Sequence, residues 1–227
     1  MFGFLIRQKV SIMKRQEEEN KKLWDKHWGE KSPDYSLRER FASLYRDVLI
    51  SREVSFYFDR YFPHKGVLLE CGSGTSQTSR RIKKYDRSLV AVDFSRLALL
   101  RARENNFMDD FVESDITKMP FSNGSIDGIY NVGVMEHFTE TELLTVLKEF
   151  YRVLNNSGCC LLFWPHKYNW VKLIPLKLFP TSPSCFDIKM LSLFAQTGFH
   201  KMSWHISPVG GFLHCVVIAY KKPDFSF

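Results

Sequence analysis

A chain of 227 residues with 44% hydrophobic and 15% aromatic residues is long enough to bury one substantial core and short for two full domains. Its five cysteines (Cys71, Cys159, Cys160, Cys185, Cys215) form no C-x-x-C pair, so neither a disulfide framework nor a zinc site is suggested and a reducing, cytoplasmic setting fits best. A formal charge of +7 and a pI near 9.1 permit contact with nucleic acid or anionic lipid, but net charge argues about association and not about chemistry.

The opening Met1-Phe-Gly-Phe-Leu-Ile, followed by Arg7, is too short for a secretory apolar region and far too short to span a bilayer, so a soluble chain is expected. Lys14 to Lys22 is almost wholly polar and leads into Trp24, His27 and Trp28 before a break from Gly29 to Pro33. That pattern reads as a solvated helix ending in an aromatic docking patch. From Ser36 to Phe62, apolar residues recur at three- or four-residue intervals and predict one or two amphipathic helices.

After Pro63 short apolar runs alternate with helical patterns, the texture of βαβ units and a mostly parallel sheet. Strands are expected at Val67 to Glu70, Leu89 to Val92, weakly near Phe111 to Val112, and at Ile126 to Val132. Helices are expected from about Thr75 to Tyr85, from Ser95 as cap to Asn105, and from the capping box Thr139-Glu-Thr-Glu142 to Leu154. Asn155-Asn-Ser-Gly158 reads as a turn before a buried strand, Cys159 to Trp164. Asp187 to Thr197 is a short helix, and His200 to Ser207 with Leu213 to Tyr220 are two closing strands joined by the Gly-rich turn at Pro208 to Gly211.

Between the first strand and its helix lies Leu68-Leu-Glu-Cys-Gly-Ser-Gly-Thr75. Gly72 and Gly74 let the backbone turn at the sheet's carboxyl edge and admit a ligand in close contact. Asp93, nineteen positions after Gly74 at the end of the second strand, is placed to accept from both hydroxyls of a ribose; otherwise it caps the following helix. A dinucleotide fingerprint counted from Gly72 would want a third glycine where Gln77 stands, which favours a nucleoside ligand without phosphates.

The ordered set Glu70-x-Gly72-x-Gly74, Asp93, Asp115-Ile116, Asp127, Asn131, Glu136-His137-Phe138 and Leu154-Asn-Asn-Ser-Gly158 resembles the class I S-adenosylmethionine-dependent methyltransferases. It is most similar to the small-molecule branch that includes ubiquinone and menaquinone biosynthesis enzymes. The likeness covers Lys65 to Pro165 closely and Asp187 to Lys221 loosely. It implies a Rossmann-like α/β fold, a seven-stranded sheet of order 3-2-1-4-5-7-6 with strand 7 antiparallel and helices on both faces. Residues 1–62 would then be a helical extension or lid, and 63–227 the methyltransferase domain with a substrate-side insertion at about 166–186.

The same resemblance implies S-adenosylmethionine as cofactor and S-adenosylhomocysteine as product. Glu70, Gly72, Ser73 and Gly74 would border its methionine part, with Thr75 nearby. Asp93 would hold the ribose, Phe94 would lie against adenine, Asp115 would accept from the adenine amino group and Ile116 N–H would reach a ring nitrogen. Asn131 and Val132 would line the methionine side; no metal is implied. The chain departs from the family at Asn155-Asn156, where Lys-Pro is usual, and at Cys71, usually small or aliphatic.

Transfer from a sulfonium mainly requires alignment, so a base matters only for a protonated acceptor. His137, beyond the fourth strand, and His166, beyond the fifth, are the candidates. Lys167 to Cys185 interleaves Tyr168, Trp170, Leu173, Ile174 and Phe179 with Lys167, Lys172 and Lys177 and has no acid. An apolar, aromatic or lipid-linked small-molecule acceptor suits it, as does transient contact with an anionic membrane. Asn131-Val-Gly-Val134 stands where DNA methyltransferases carry Asn/Asp-Pro-Pro-Tyr/Phe, which argues against a nucleic-acid partner. The rivals are an RNA or protein methyltransferase, a cofactor-binding protein without transfer activity, and a nucleotide-dependent oxidoreductase. The sequence does not fix the oligomeric state.

Overall fold

Apolar runs with no charge, such as Cys159 to Trp164, need cover on both faces, and a parallel sheet flanked by helices supplies it. The computed structural model describes residues 19, 21–26, 28–29, 43–165, 186–209 and 214–221. Among them, seven strands form one sheet: β1 (Lys65–Cys71), β2 (Asp86–Asp93), β3 (Asp110–Glu113), β4 (Ile126–Val132), β5 (Leu154–Pro165), β6 (Lys201–Ile206) and β7 (His214–Tyr220). Their spatial order is β3-β2-β1-β4-β5-β7-β6, with β1 to β5 parallel and β7 antiparallel to both neighbours. The expected fold class is the one observed.

Among the described residues, four α-helices pack on this sheet: α1 (Ser51–Tyr61), α2 (Arg96–Asn105), α3 (Glu140–Val153) and α4 (Leu191–Thr197). Side-chain alternation along the strands divides the interior in two. One face sets Leu68, Ala91, Tyr130, Cys159 and Phe163 against Val54 and Phe58 of α1 and Leu99 of α2. The other sets Leu69, Val92, Ile129, Cys160 and Trp164 against Leu147 and Phe150 of α3 and Phe194 of α4. Cys159 and Cys160 thus enter different cores, as adjacent strand residues must.

Local chemistry explains the element ends. Ser95 Oγ accepts from Ala98 N–H at 3.3 Å and starts α2. Thr139 and Glu142 close a capping box on α3, with Thr139 N–H donating to Glu142 Oε2 at 2.8 Å. Asp187 caps a single 3-10 turn, Ile188–Met190, before α4, which Gly198 ends.

Three expectations require correction. The helix foreseen over Thr75 to Tyr85 is only a 3-10 turn, Gln77–Arg81. Ser76 takes a left-handed φ of 51°, and Thr78 and Ser79 spend their hydroxyls on Glu70, the competition that makes such residues poor helix formers. Strand β2 also begins earlier than Leu89, because Arg87 turns inward. Its guanidinium donates to the carbonyls of Phe62, Pro63 and Lys83, pairs with Asp59 at 3.2 Å and lies 4.8 Å from the Phe58 ring.

The third correction is the turn at Asn155 to Gly158, which lies inside β5. Pairing jumps from Ile126–Leu154 to Gly128–Cys159, so extra β5 residues bulge outward. Turn chemistry persists within the bulge: Ser157 N–H donates to Asn155 Oδ1 at 3.0 Å, and Asn155 Nδ2 donates to Asp127 Oδ1 at 2.7 Å. Residues 166–185 of the expected insertion, His27, and Gly210 and Gly211 of the Gly-rich turn fall outside the described residues.

Candidate cofactor and acceptor site

The strand order reverses direction between β1 and β4, and the crevice at the carboxyl ends of these strands is where open α/β sheets bind ligands. The loop leaving β1 enters that crevice. Gly72 and Gly74 have φ of 69° and 52°. A Cβ on Gly72 would sit 2.7 Å from Val134 Cγ2, and one on Gly74 would sit 2.9 Å from Trp28 Cζ2, so both positions need glycine for conformation and for space.

Asp93, at the end of β2, fastens this loop. Its Oδ2 accepts from Gly74 N–H and its Oδ1 from Ser95 N–H, each at 2.8 Å. It does not cap α2; Ser95 does. Burial pushes the carboxyl up to about 6, and the two amide donors hold it from rising further. Each carboxylate oxygen keeps a second lone pair, so Asp93 still has acceptors for ribose hydroxyls.

Glu70 lies on β1, just before this loop, and its side chain reaches the Gln77–Arg81 turn. It is buried, and accepts from Thr78 Oγ1 at 3.2 Å and Ser79 Oγ at 2.9 Å, while Ser79 Oγ and Tyr130 Oη are 2.8 Å apart. Burial pushes it up to about 7, against these hydroxyl donors. In this geometry it ties the Gln77–Arg81 turn to the floor of the crevice. Ser73 is buried beside it, and Asn105 Nδ2 holds the carbonyl of Thr75 at 2.8 Å.

Asn131 closes the β4 side. It is fully buried, and neither its Oδ1 nor its Nδ2 has a hydrogen-bond partner among the described residues. Buried amides are almost always satisfied, so one at the mouth of the crevice is suited to a polar ligand group. The remaining expected contacts line the β2–β3 end: Phe94 is half-buried after β2, Ile116 is buried, and Asp115 is exposed with Oδ1 accepting from Thr117 N–H at 2.7 Å. The structure therefore brings Gly72, Ser73, Gly74, Thr75, Asp93, Phe94, Asp115, Ile116, Asn131 and Val132 to one edge of the sheet.

Beyond β4, Glu136 and His137 sit on a 3-10 turn, Met135–His137. Burial pushes Glu136 up to about 8 and holds His137 below the usual histidine range, against a hydrogen bond with the Gly133 backbone. His166 lies outside the described residues.

The N-terminal helical residues 21–26 and 28–29 cross this edge. Lys21 Nζ pairs with Glu113 Oε1 at 2.6 Å, Asp25 Oδ1 accepts from Ser95 Oγ at 2.6 Å, Trp24 meets His137 edge to face at 5.3 Å, and Trp28 rests on Gly74. Those partners stand at the ends of β3, β2, β4 and β1 in turn.

Sequence reasoning missed a second polar cluster. Glu53, on the apolar stripe of α1, places Oε2 2.6 Å from His214 Nδ1, and Tyr57 Oη is 2.7 Å from His205 Nε2. A signal was available: Glu53 falls three residues after Ile50 and four before Tyr57, on the buried face of an amphipathic pattern.

Comparison with known proteins agrees with this geometry. Residues 69–162 match the model of the methyltransferase domain family. An uncharacterized methyltransferase of Synechocystis sp. is 26% identical over 153 residues, covering 64% of this chain and 71% of that protein. A malonyl-[acyl-carrier protein] O-methyltransferase of Pectobacterium atrosepticum is 30% identical over 96 residues, 42% of this chain, but the match spans only 37% of that relative. In fold, a SAM-dependent methyltransferase from Archaeoglobus fulgidus superposes with a TM-score of 0.66 at 16% identity, covering 81% of this chain and 99% of that one. Residues 69–162 carry a methyltransferase domain, and the relatives and the fold are those of S-adenosylmethionine-dependent methyltransferases, whose cofactor is S-adenosylmethionine.

Proposed function

We propose that this protein transfers a methyl group to a small-molecule acceptor that binds over the carboxyl ends of β4 and β5. The observation that carries the reading is the crevice beside β1: a glycine loop pinned by Asp93, facing the unsatisfied buried amide of Asn131. Asp93 would take the ribose hydroxyls, Phe94 the adenine face, the Ile116 N–H a ring nitrogen and Asp115 the adenine amino group, and Asn131 and Gly72 to Gly74 the amino-acid end. When bound, S-adenosylmethionine supplies an electrophilic methyl on a sulfonium. The chain's own work is to hold the acceptor in line and to exclude water.

For exclusion we assign residues 21–26 and 28–29 as a lid over the cofactor, with Trp24 and Trp28 as its inner face; of the extension expected over residues 1–62, α1 packs on the sheet instead. Relatives named for malonyl-[acyl-carrier protein] and demethylmenaquinone support a small-molecule acceptor, as does the aromatic character of Lys167 to Cys185. Transient contact of that basic, apolar stretch with a membrane surface fits the same acceptor class. No helix among the described residues is long and apolar enough to cross a membrane, and a cytoplasmic setting suits the four buried thiols. Titration calorimetry with S-adenosylhomocysteine tests the reading: micromolar binding is expected, and its absence overturns it.

A further inference from the structure

The cofactor crevice leaves the Glu53 cluster without a task. Glu53 is fully buried, and its Oε1 has no hydrogen-bond partner among the described residues. Burying a carboxylate is costly, and a well-packed apolar pair would hold α1 to β7 at least as well. Stability alone therefore gives no reason for the Glu53–His214 pair.

Its location does. His214 is the first residue of β7 and pairs with Pro165, the last of β5, so it stands at the ligand-binding edge. It shares a face with Phe163, which pairs with Val132 at the end of β4. Two interstrand steps and one two-residue step along β7 separate His214 from Val132, roughly 12 Å between backbones. That distance suits an imidazole, a hydroxyl oxygen within hydrogen-bond reach of it and a methyl group near Val132 in series, with the acceptor's aromatic ring lying to one side. The walls are aromatic too: the Phe163 ring meets His214 at 6.2 Å and Tyr57 at 5.8 Å, edge to face in both cases, and Tyr45 packs against the same cluster.

We propose that His214 is the base for an aromatic hydroxyl acceptor, with Glu53 as the positioning residue; this rests on the methyltransferase reading above. An ionised Glu53 only accepts, so Nδ1 carries the ring proton and Nε2 keeps its lone pair. The hydroxyl oxygen forms its new bond to the methyl carbon as the carbon–sulfur bond breaks and the electron pair stays on sulfur. The hydroxyl proton passes to Nε2 and then to solvent. A phenol, acidic near the range of tyrosine, is within reach of imidazole, whereas an aliphatic alcohol is not.

Charged and titratable neighbours enter the pH behaviour: Tyr45 and Tyr57 on the α1 side, both held above the usual tyrosine range by burial first and by Glu53 second among the raising influences, and His205 on β6, held low by burial and by Arg60. The test saturates the protein with S-adenosylhomocysteine, adds 4-nitrophenol and reads the coloured phenolate near pH 6. In the wild type, the phenolate-to-phenol ratio of the bound probe should rise at least about tenfold over the free probe, one unit of apparent pKa. Glu53→Gln and His214→Gln should return it to the free value with S-adenosylhomocysteine affinity within about twofold of wild type. Glu53→Gln keeps a hydrogen-bonding side chain of the same size, which guards against loss of the fold. A wild type without the rise overturns the inference, and so does a rise that survives both variants or vanishes only along with cofactor affinity. Failure of the wild type to bind S-adenosylhomocysteine would instead sink the methyltransferase reading itself.

Discussion

Replacing Asp93 with alanine perturbs the site at its best-defined joint. The carboxylate is 5% exposed and satisfies two buried amides, Gly74 N–H and Ser95 N–H, at 2.8 Å each. An unmet buried donor costs about 1–3 kcal/mol, and a water entering the vacated space recovers part of that, so a loss of about 2–4 kcal/mol is expected. For a chain of this length that is a fall in melting temperature of roughly 5–15 °C. Loss of the ribose acceptor should separately weaken S-adenosylhomocysteine at least tenfold, about 1.4 kcal/mol. The acid also leaves a thermodynamic trace in the unaltered protein. Its carboxyl, raised to about 6, is half protonated at that pH, while ribose binding requires an acceptor. Binding near pH 6 should therefore release up to about half a proton, and affinity should fall as pH drops through 6. Calorimetry in two buffers of different ionisation enthalpy reads both effects. Affinity of Asp93→Ala within twofold of wild type, or a binding enthalpy indifferent to buffer, would refute the reasoning.

Trp28→Ala should speed dissociation of S-adenosylhomocysteine about tenfold with little change in association, because the ring resting on Gly74 shields the crevice; competition stopped-flow measures it, and unchanged release would remove the lid assignment. Glu136, raised to about 8 by burial, favours the neutral acid in the fold, so its contribution to stability is complete below about pH 4.5 and is lost as pH rises through 8. Glu136→Gln cannot ionise and should flatten that decline, with an advantage on the order of 1–3 kcal/mol at pH 9 over pH 6 in urea unfolding; parallel pH profiles would contradict the burial of its charge.

The sheet was legible because its information is local. Ile126 to Val132 and the capping box at Thr139 and Glu142 announce themselves by apolar pattern and spacing, and both stand where expected. The turn at Gln77–Arg81 was not, because Glu70, seven residues earlier, draws Thr78 and Ser79 out of a helix through hydrogen bonds that no window of propensity contains. Arg87 misled for a similar reason: its fully buried guanidinium is repaid by three carbonyls and Asp59, partners supplied by tertiary packing. At the site, Gly72, Gly74 and Asp93 were readable from order and spacing, and their meeting at one edge follows from the topology. Glu53 and His214 are 161 positions apart and meet only because β7 inserts beside β5 and α1 packs over it.

That insertion bears on how the chain reaches its fold. Residues 214–220 fill the slot between β5 and β6, both made earlier, so during synthesis the backbone of Cys159 to Trp164 waits with one edge bare until β7 emerges. A six-residue uncharged run with an open edge is a template for pairing with other chains, and closure from so far along the chain is slow. Recovery of the native protein on refolding should therefore depend steeply on concentration, with off-pathway association through β5 competing against the arrival of the last strand.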